Sequence, residues 1–301
     1  TDSGLSITAW ELFTGILPPL NNLDWNNYFL EYKKIPEYKN VNFGMSLQEF
    51  KVIFYWEYAH RLLARVVGLF SFIPLIYISF KFKNHKLYSH KYYLIFLLIC
   101  LQGFIGWYMV SSGLIQNNDV SHFRLTIHLT LALFILSIIF WFLLDTLNIT
   151  KFNNKIAQSL VIFILLLIIL QIVFGAFLSG LDGGLIYNTW PDMNGSFFPN
   201  DVGFTEYKSL ELFYNPSIIQ FFHRSTAYIL LIFIIILNYF FIKNKLNIST
   251  ILIFDFAILL QVYLGVITLV TGVEIKYASL HQLGSIFVLS SYLLILYKNF
   301  N

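Results

Sequence analysis

The sequence predicts an all-α integral membrane protein made of two pseudo-symmetric four-helix bundles, and three observations predict it. The chain is 57% hydrophobic and only 12% charged, with a mean hydropathy of +0.69. Soluble domains carry about 25% charged residues, so a soluble domain is excluded. Seven apolar stretches each reach the roughly 20 residues that a helix needs to cross a bilayer. Two motifs recur in the same order along the chain, the mark of an internal repeat.

The first residues, TDSGLSITAW, are polar and aromatic, without the basic start and apolar core of a signal peptide, and the N-terminal 51 residues form a polar segment. Spans are expected at 52–80, 92–113, 123–145, 156–179, 218–242, 250–272 and 279–298. The fourth and fifth are joined by the longest connection, acidic and rich in Gly, Pro and Asn. The lysines of KFKNHKLYSHK (81–91), KFNNK (151–155) and KNK (243–245), with Lys298, fall on alternate sides of successive spans and so on one face. By the positive-inside tendency that face is cytoplasmic or, in an organelle, matrix, and both long polar segments lie on the other. Cys100 is the only cysteine, which excludes an intramolecular disulfide and a Cys-rich metal site. The net charge of +3 gives no ground for a nucleic-acid partner.

The pattern L-Q-x-x-x-G occurs at Leu101-Gln102…Gly106, Leu170-Gln171…Gly175 and Leu260-Gln261…Gly265, in mid-span each time. His-Arg occurs at 60–61 and 223–224, each near the outer start of a span. Two spans after each comes another outer histidine, His128 and His281. Trp10…Gly15…Pro18 echoes Trp190…Gly195…Pro199. The repeat divides the chain into an N-terminal half, 1–155, and a C-terminal half, 156–301. In the second half a span precedes the Trp-containing loop, so symmetry predicts a further span before Thr1, giving a 4+4 architecture of which seven spans are present.

His60, His128, His223 and His281 are expected near the outer ends of their helices. Histidines at matching depth on facing helices of a bundle suit a bis-His haem. A lone histidine in a span is as often a polar packing residue; four in a repeated order, two with arginine beside them, are harder to read so. Zinc fits poorly, because neither H-E-x-x-H nor a close His/Cys pair occurs. His85, His90 and His122 sit in or beside loops and are given no metal role. Arg61, Arg65, Arg124 and Arg224 stand at the outer ends of histidine helices, where a guanidinium suits a haem propionate or snorkels to lipid headgroups. Aligning the His-Arg motifs sets Glu57 opposite Gln220. Glu57 lies one turn from His60 on the same helix face. A reacting site is therefore expected in the N-terminal half, and a redox or structural haem in the other. The plainer reading of Glu57 is a surface ion pair with Arg61, worth little.

The segments TDSGLSITAW with GILPPLN, PEYK, EYAHR (57–61), LQGFIGWYMVSSGL, NTWPDMNG, FFHR (221–224) and HQLGSIF resemble the haem A synthases over nearly the whole chain. The cysteine-free outer N-terminal segment resembles the proteobacterial and mitochondrial branch of that family. The resemblance implies eight helices in two four-helix halves. It also implies oxidation of a ring methyl of haem O to a formyl group by two successive hydroxylations. It implies that His223 and His281 ligate the iron of a haem b that passes electrons, with Arg224 at that cofactor. His60 and His128 would flank the iron of the substrate haem, with Arg61 and Arg65 at its propionates, and Glu57 would be the catalytic carboxylate near the reacting methyl. Expected partners are haem O, a haem O synthase (a farnesyltransferase), the cytochrome oxidase assembly line and a membrane electron acceptor, with homo-oligomerisation left open. The expected location is the bacterial inner membrane with the histidine ends toward the periplasm, or the mitochondrial inner membrane. Two rivals keep the fold: a dihaem b-type electron carrier, which has no need of Glu57, and a haem transporter that binds haem transiently in its outer loops.

Overall fold

The structure, a computed structural model, describes residues 4–9, 15–81, 86–113, 119–203 and 210–300, without the side chains of 81 and 86–89. Among the described residues it is helical throughout, with α1 (Asn22–Tyr32), α2 (Pro36–Asn40), α3 (Leu47–Lys81), α4 (Lys86–Gly113), α5 (His122–Thr146), α6 (Gln158–Gly180), α7 (Pro216–Lys243), α8 (Ile248–Val270) and α9 (Ile275–Asn299). Helices α3 to α9 supply seven segments long and apolar enough to cross a membrane, at the places the hydropathy predicts. The protein is a multi-pass membrane protein.

Helix ends follow local chemistry more than hydropathy. Ser46 and Glu49 form a capping box, in which Ser46 N donates to Glu49 Oε2 (2.8 Å) and Glu49 N to Ser46 Oγ (3.3 Å). The box starts α3 ahead of the expected residue 52, so His60 lies deeper in its helix than the other three histidines do in theirs. Asn215 caps α7 by accepting from Ser217 N (2.9 Å) and Ile218 N (3.2 Å), with Pro216 in the first turn where its missing N–H costs nothing. His90, expected in or beside a loop, lies inside α4, which begins at Lys86, ahead of the expected residue 92. His85 and Trp10 are outside the described residues.

The chain forms two compact units, Thr1–Ile135 and Leu136–Asn301. In the first, α3 packs on α4 and α1 lies on the start of α3. The polar N-terminal segment is not loop alone. Leu5, Ile7, Trp25, Phe29, Tyr32, Ile35, Tyr38, Phe50 and Phe54 make an aromatic-rich core there, with Phe29 stacked on Phe50 at 5.0 Å between ring centroids. Tyr32 Oη donates to Glu37 Oε1 (2.9 Å), and burial pushes the Tyr32 phenol pKa far up. This core anchors residues 4–7 beside α3.

In the second unit α6 packs on α7 and α8 on α9. Its three lysine-bearing segments meet. Phe152 N donates to Lys298 O (2.9 Å), Lys151 Nζ to Tyr297 O (3.1 Å) and Asn154 Nδ2 to Asn244 O (2.9 Å). The alternation read from the sequence thus brings 151–155, 243–245 and 298 together at one end of the unit.

Candidate functional site

In the first unit α3 and α5 bring the His60 and His128 rings to 6.3 Å between centroids; in the second, α7 and α9 bring His223 and His281 to 6.4 Å. Two imidazoles on opposite sides of one metal ion, each with a bond of about 2 Å and ~1.1 Å from ring nitrogen to ring centre, have centroids roughly 6.2 Å apart. Both pairs have this spacing. His223 Nδ1 is buried without a hydrogen-bond partner, a state that costs about 1–3 kcal/mol unless a ligand relieves it. The residues present fit a bis-His haem in each unit.

Next to His60 and to His223 an arginine ties the preceding non-helical segment to the helix. Arg61 Nη2 donates to Ile7 O (3.0 Å) and Nη1 to Ala9 O (3.2 Å). Arg224 Nη2 donates to Tyr187 O (2.8 Å) and Nη1 to Thr189 O (2.9 Å) and Asp192 O (2.7 Å). The same two-residue bite is used in both halves, at Ile7 and Ala9 and at Tyr187 and Thr189. Residues 187–196, which include NTWPDMNG, form the compact turn that offers these carbonyls. Met193 and Ser196 pair across it, Asn194 N donates to Thr189 Oγ1 (2.7 Å), and Gly195 sits at φ 87°, a conformation that glycine adopts without strain. Arg65 Nη1 donates to Gly15 O (2.9 Å), and Arg124 Nη1 to Ser112 Oγ (2.6 Å).

The halves differ where the sequence says they do. Glu57 is 7% exposed and its carboxylate takes four hydrogen bonds: Oε2 from Ser6 Oγ (2.6 Å) and Ile7 N (2.8 Å), Oε1 from Arg61 Nη2 (2.5 Å) and Nε (3.0 Å). The Glu57–Arg61 pair exists, but it is buried and networked, not a surface pair. Removing one partner from such a pair is far more costly than removing one from an exposed pair. Gln220, 1% exposed, sends Nε2 to Tyr187 O (3.0 Å). An amide in one half and a carboxylate in the other therefore meet equivalent outer backbone.

Sequence reasoning missed Ser6 and Ile7, which hold Glu57, because hydrogen bonds between residues fifty apart leave no local pattern. It also gave the L-Q-x-x-x-G glutamines no role, although their recurrence was visible. Gln102 Nε2 donates to His128 O (2.9 Å), Gln261 Nε2 to His281 O (2.8 Å), and Gln171 Nε2 lies 3.2 Å from His223 Nε2.

The sequence profile of the cytochrome oxidase assembly protein family, COX15-CtaA, matches residues 1–293. The chain belongs to this family. Relatives named Heme A synthase match over nearly the whole of this chain. The protein of Pelagibacter ubique (strain HTCC1062) is 71% identical over 301 residues, covering 100% of this chain and 90% of its own. That of Rickettsia bellii (strain OSU 85-389) is 44% identical over 300 residues, 96% of this chain and 88% of its own. That of Wolbachia pipientis wMel is 41% identical over 294 residues, 96% and 83% respectively. No solved structure matches the chain.

The long connection between α6 and α7 carries its own pH-sensitive contact. Tyr187 Oη donates a short hydrogen bond to Asp201 Oδ1, and Ser217 Oγ donates to Oδ2 (2.6 Å). Burial raises the Asp201 pKa, but the hydrogen bonds from Ser217 and Tyr187 outweigh it and hold the carboxyl below the usual range. A lowered carboxylate pKa contributes stability above the unfolded value of about 3.9 and loses it as pH falls through the folded value. Trp190 fluorescence, taken as the difference from Trp190→Phe, is therefore expected to stay constant from neutrality down to about pH 4 and to change below it. Asp201→Asn abolishes that acid step.

Proposed function

We propose that the protein is a haem A synthase, an oxidoreductase that converts a ring methyl of haem O to a formyl group. The reading rests on family membership, on the relatives' shared name, and above all on one observation: two copies of one histidine-pair site, of which, among the described residues, only the first has a buried carboxylate beside it. Two successive hydroxylations give an alcohol and then a gem-diol, which loses water. His60 and His128 hold the substrate haem. Glu57, fixed by Ser6, Ile7 and Arg61, accepts a proton or stabilises developing positive charge at the reacting carbon. His223 and His281 hold haem b, which when bound supplies one-electron transfer. Arg224 keeps a buried Nε without a hydrogen-bond partner, a donor suited to a propionate. Arg61 and Arg65 are assigned to the propionates of the substrate haem in the first unit.

The lysine-bearing loops orient the protein in the bacterial inner membrane, with its histidine pairs toward the periplasmic side. A farnesyltransferase that makes haem O supplies the substrate, a membrane electron acceptor drains the electrons, and cytochrome oxidase assembly takes the product.

Haem extraction and chromatography of the full-length protein, co-expressed with a haem O synthase, test the reading. Haem A or its hydroxylated precursor is the expected yield. A yield of haem B alone would overturn the synthase in favour of the dihaem electron carrier.

A further inference from the structure

Among the described residues, three of the four paired histidines lie against a glycine of a neighbouring helix, each through the same ring carbon. A Cβ added at Gly106 would stand 2.9 Å from Cε1 of His128, one at Gly175 would stand 3.1 Å from Cε1 of His223, and one at Gly265 would stand 2.9 Å from Cε1 of His281. One turn earlier on each of those helices stands the glutamine of the same L-Q-x-x-x-G motif, and its amide reaches the same histidine. Gln102 Nε2 is 3.2 Å from Nδ1 and 3.3 Å from Nε2 of His128, so it rests on the Cε1 edge. Gln171 Nε2 is 3.2 Å from His223 Nε2. Gln261 Nε2 donates to the backbone carbonyl of His281, and the Gln261 backbone carbonyl accepts from the ring's Nδ1 at 3.1 Å. The Oε1 atoms of all three glutamines are buried without hydrogen-bond partners, so satisfying their own oxygens is not what sets their orientation. Gly68 and Gly103, on the same helices as His60 and Gln102, meet nothing within 4 Å. The histidine contact belongs to the motif glycines; Gly113 and Gly284, also helical, meet Leu5 and the Gln261 side chain instead.

We propose that the glutamine and glycine of L-Q-x-x-x-G are haem-ligand positioning residues, the glycine opening the slot in which the imidazole lies and the glutamine setting its rotation. The proposal rests on the haem reading of the histidine pairs. Its physical basis is that an imidazole turns about a soft sp³–sp² bond with a broad minimum, so its plane is fixed by neighbours rather than by its own rotamer. At His281 the Nδ1–H to Gln261 carbonyl bond also selects the tautomer, leaving Nε2 as the lone pair for iron. The His223 and His281 planes stand 81° apart and the His60 and His128 planes 58° apart. The angle between two axial imidazole planes sets the orbital splitting of low-spin ferric iron, so the slot is read directly in the position of the low-spin electron paramagnetic resonance signal.

The test is that spectrum, recorded on full-length protein purified with haem bound, for wild type, Gly175→Ala, Gly265→Ala and the control Gly103→Ala. The expected result is a low-spin signal in wild type and Gly103→Ala, and its displacement or replacement by a high-spin signal in the other two. Signals in Gly175→Ala and Gly265→Ala that superimpose on Gly103→Ala would overturn the positioning role while leaving the haem reading intact. Absence of any low-spin haem from wild type would overturn both. Should the alanine variants fail to accumulate, Gln171→Leu, which leaves the slot open and removes only the amide, decides the matter. A shifted low-spin signal supports the role, and an unshifted one overturns it.

Discussion

Glu57→Gln is expected to lower haem A formation by roughly 10²–10⁴-fold, the usual contribution of a positioned acid–base group, while leaving the protein folded and haem-loaded. The substitution converts the first-half site into a chemical copy of the second, where Gln220 already shows that an amide fits against equivalent outer backbone. A glutamine at 57 keeps one carbonyl oxygen for Ser6 Oγ and Ile7 N, and Arg61 keeps its bonds to Ile7 O and Ala9 O. The stability loss should therefore stay at about 1–3 kcal/mol, below the roughly 3–5 kcal/mol of a buried pair broken outright. Accumulated haem O with little haem A, from protein of normal haem content, is the expected chromatogram. Near-normal conversion would mean that the carboxylate serves only to hold the outer segment. Glu57→Ala is the harsher variant, since it also strands Ser6 Oγ and the Ile7 N–H.

His281→Ala and His223→Ala are each expected to abolish the low-spin haem spectrum of the second unit and, with it, turnover. Each removes one of two rings held 6.4 Å apart, and no other histidine stands in that pair. His60→Ala and His128→Ala should spare that spectrum and instead lower haem O retention and product. The contrast separates an enzyme with unequal sites from a dihaem carrier, in which all four substitutions would remove haem to the same degree. Equal loss from all four would sink the division of labour. Midpoint titration of the bound haem in the Glu57→Gln background would show in addition whether the second-half haem is unaffected by loss of chemistry in the first, as the unequal-site reading requires.

Much of this protein was legible in one dimension, and for definite reasons. Transmembrane helices satisfy their backbone internally and must be apolar along their length, so α3 to α9 declare themselves by composition alone. The repeat was legible because related halves keep residue types at fixed spacing, which is how Glu57 could be set opposite Gln220. The histidine pairs followed from the same alignment, and the structure brings each pair to within a metal-bridging distance. The outer segments resisted. Nothing in the run from Asn21 to Asn42 states an apolar period strong enough to announce α1 and α2, because their stabilising aromatics are completed by Phe50 and Phe54 from α3.

By itself, then, the sequence determined the number and place of the membrane helices, the twofold internal likeness and the types of residue available to bind a haem. All of these depend on composition and on spacing along the chain. Tertiary structure alone decided that Arg61 and Arg224 grip matching carbonyls, that Ser6 and Ile7 fix Glu57 in a buried network, and that each L-Q-x-x-x-G glycine receives a histidine ring. Those facts depend on atoms distant in sequence meeting at hydrogen-bond or van der Waals range, and only the packing of one helix against another sets such distances.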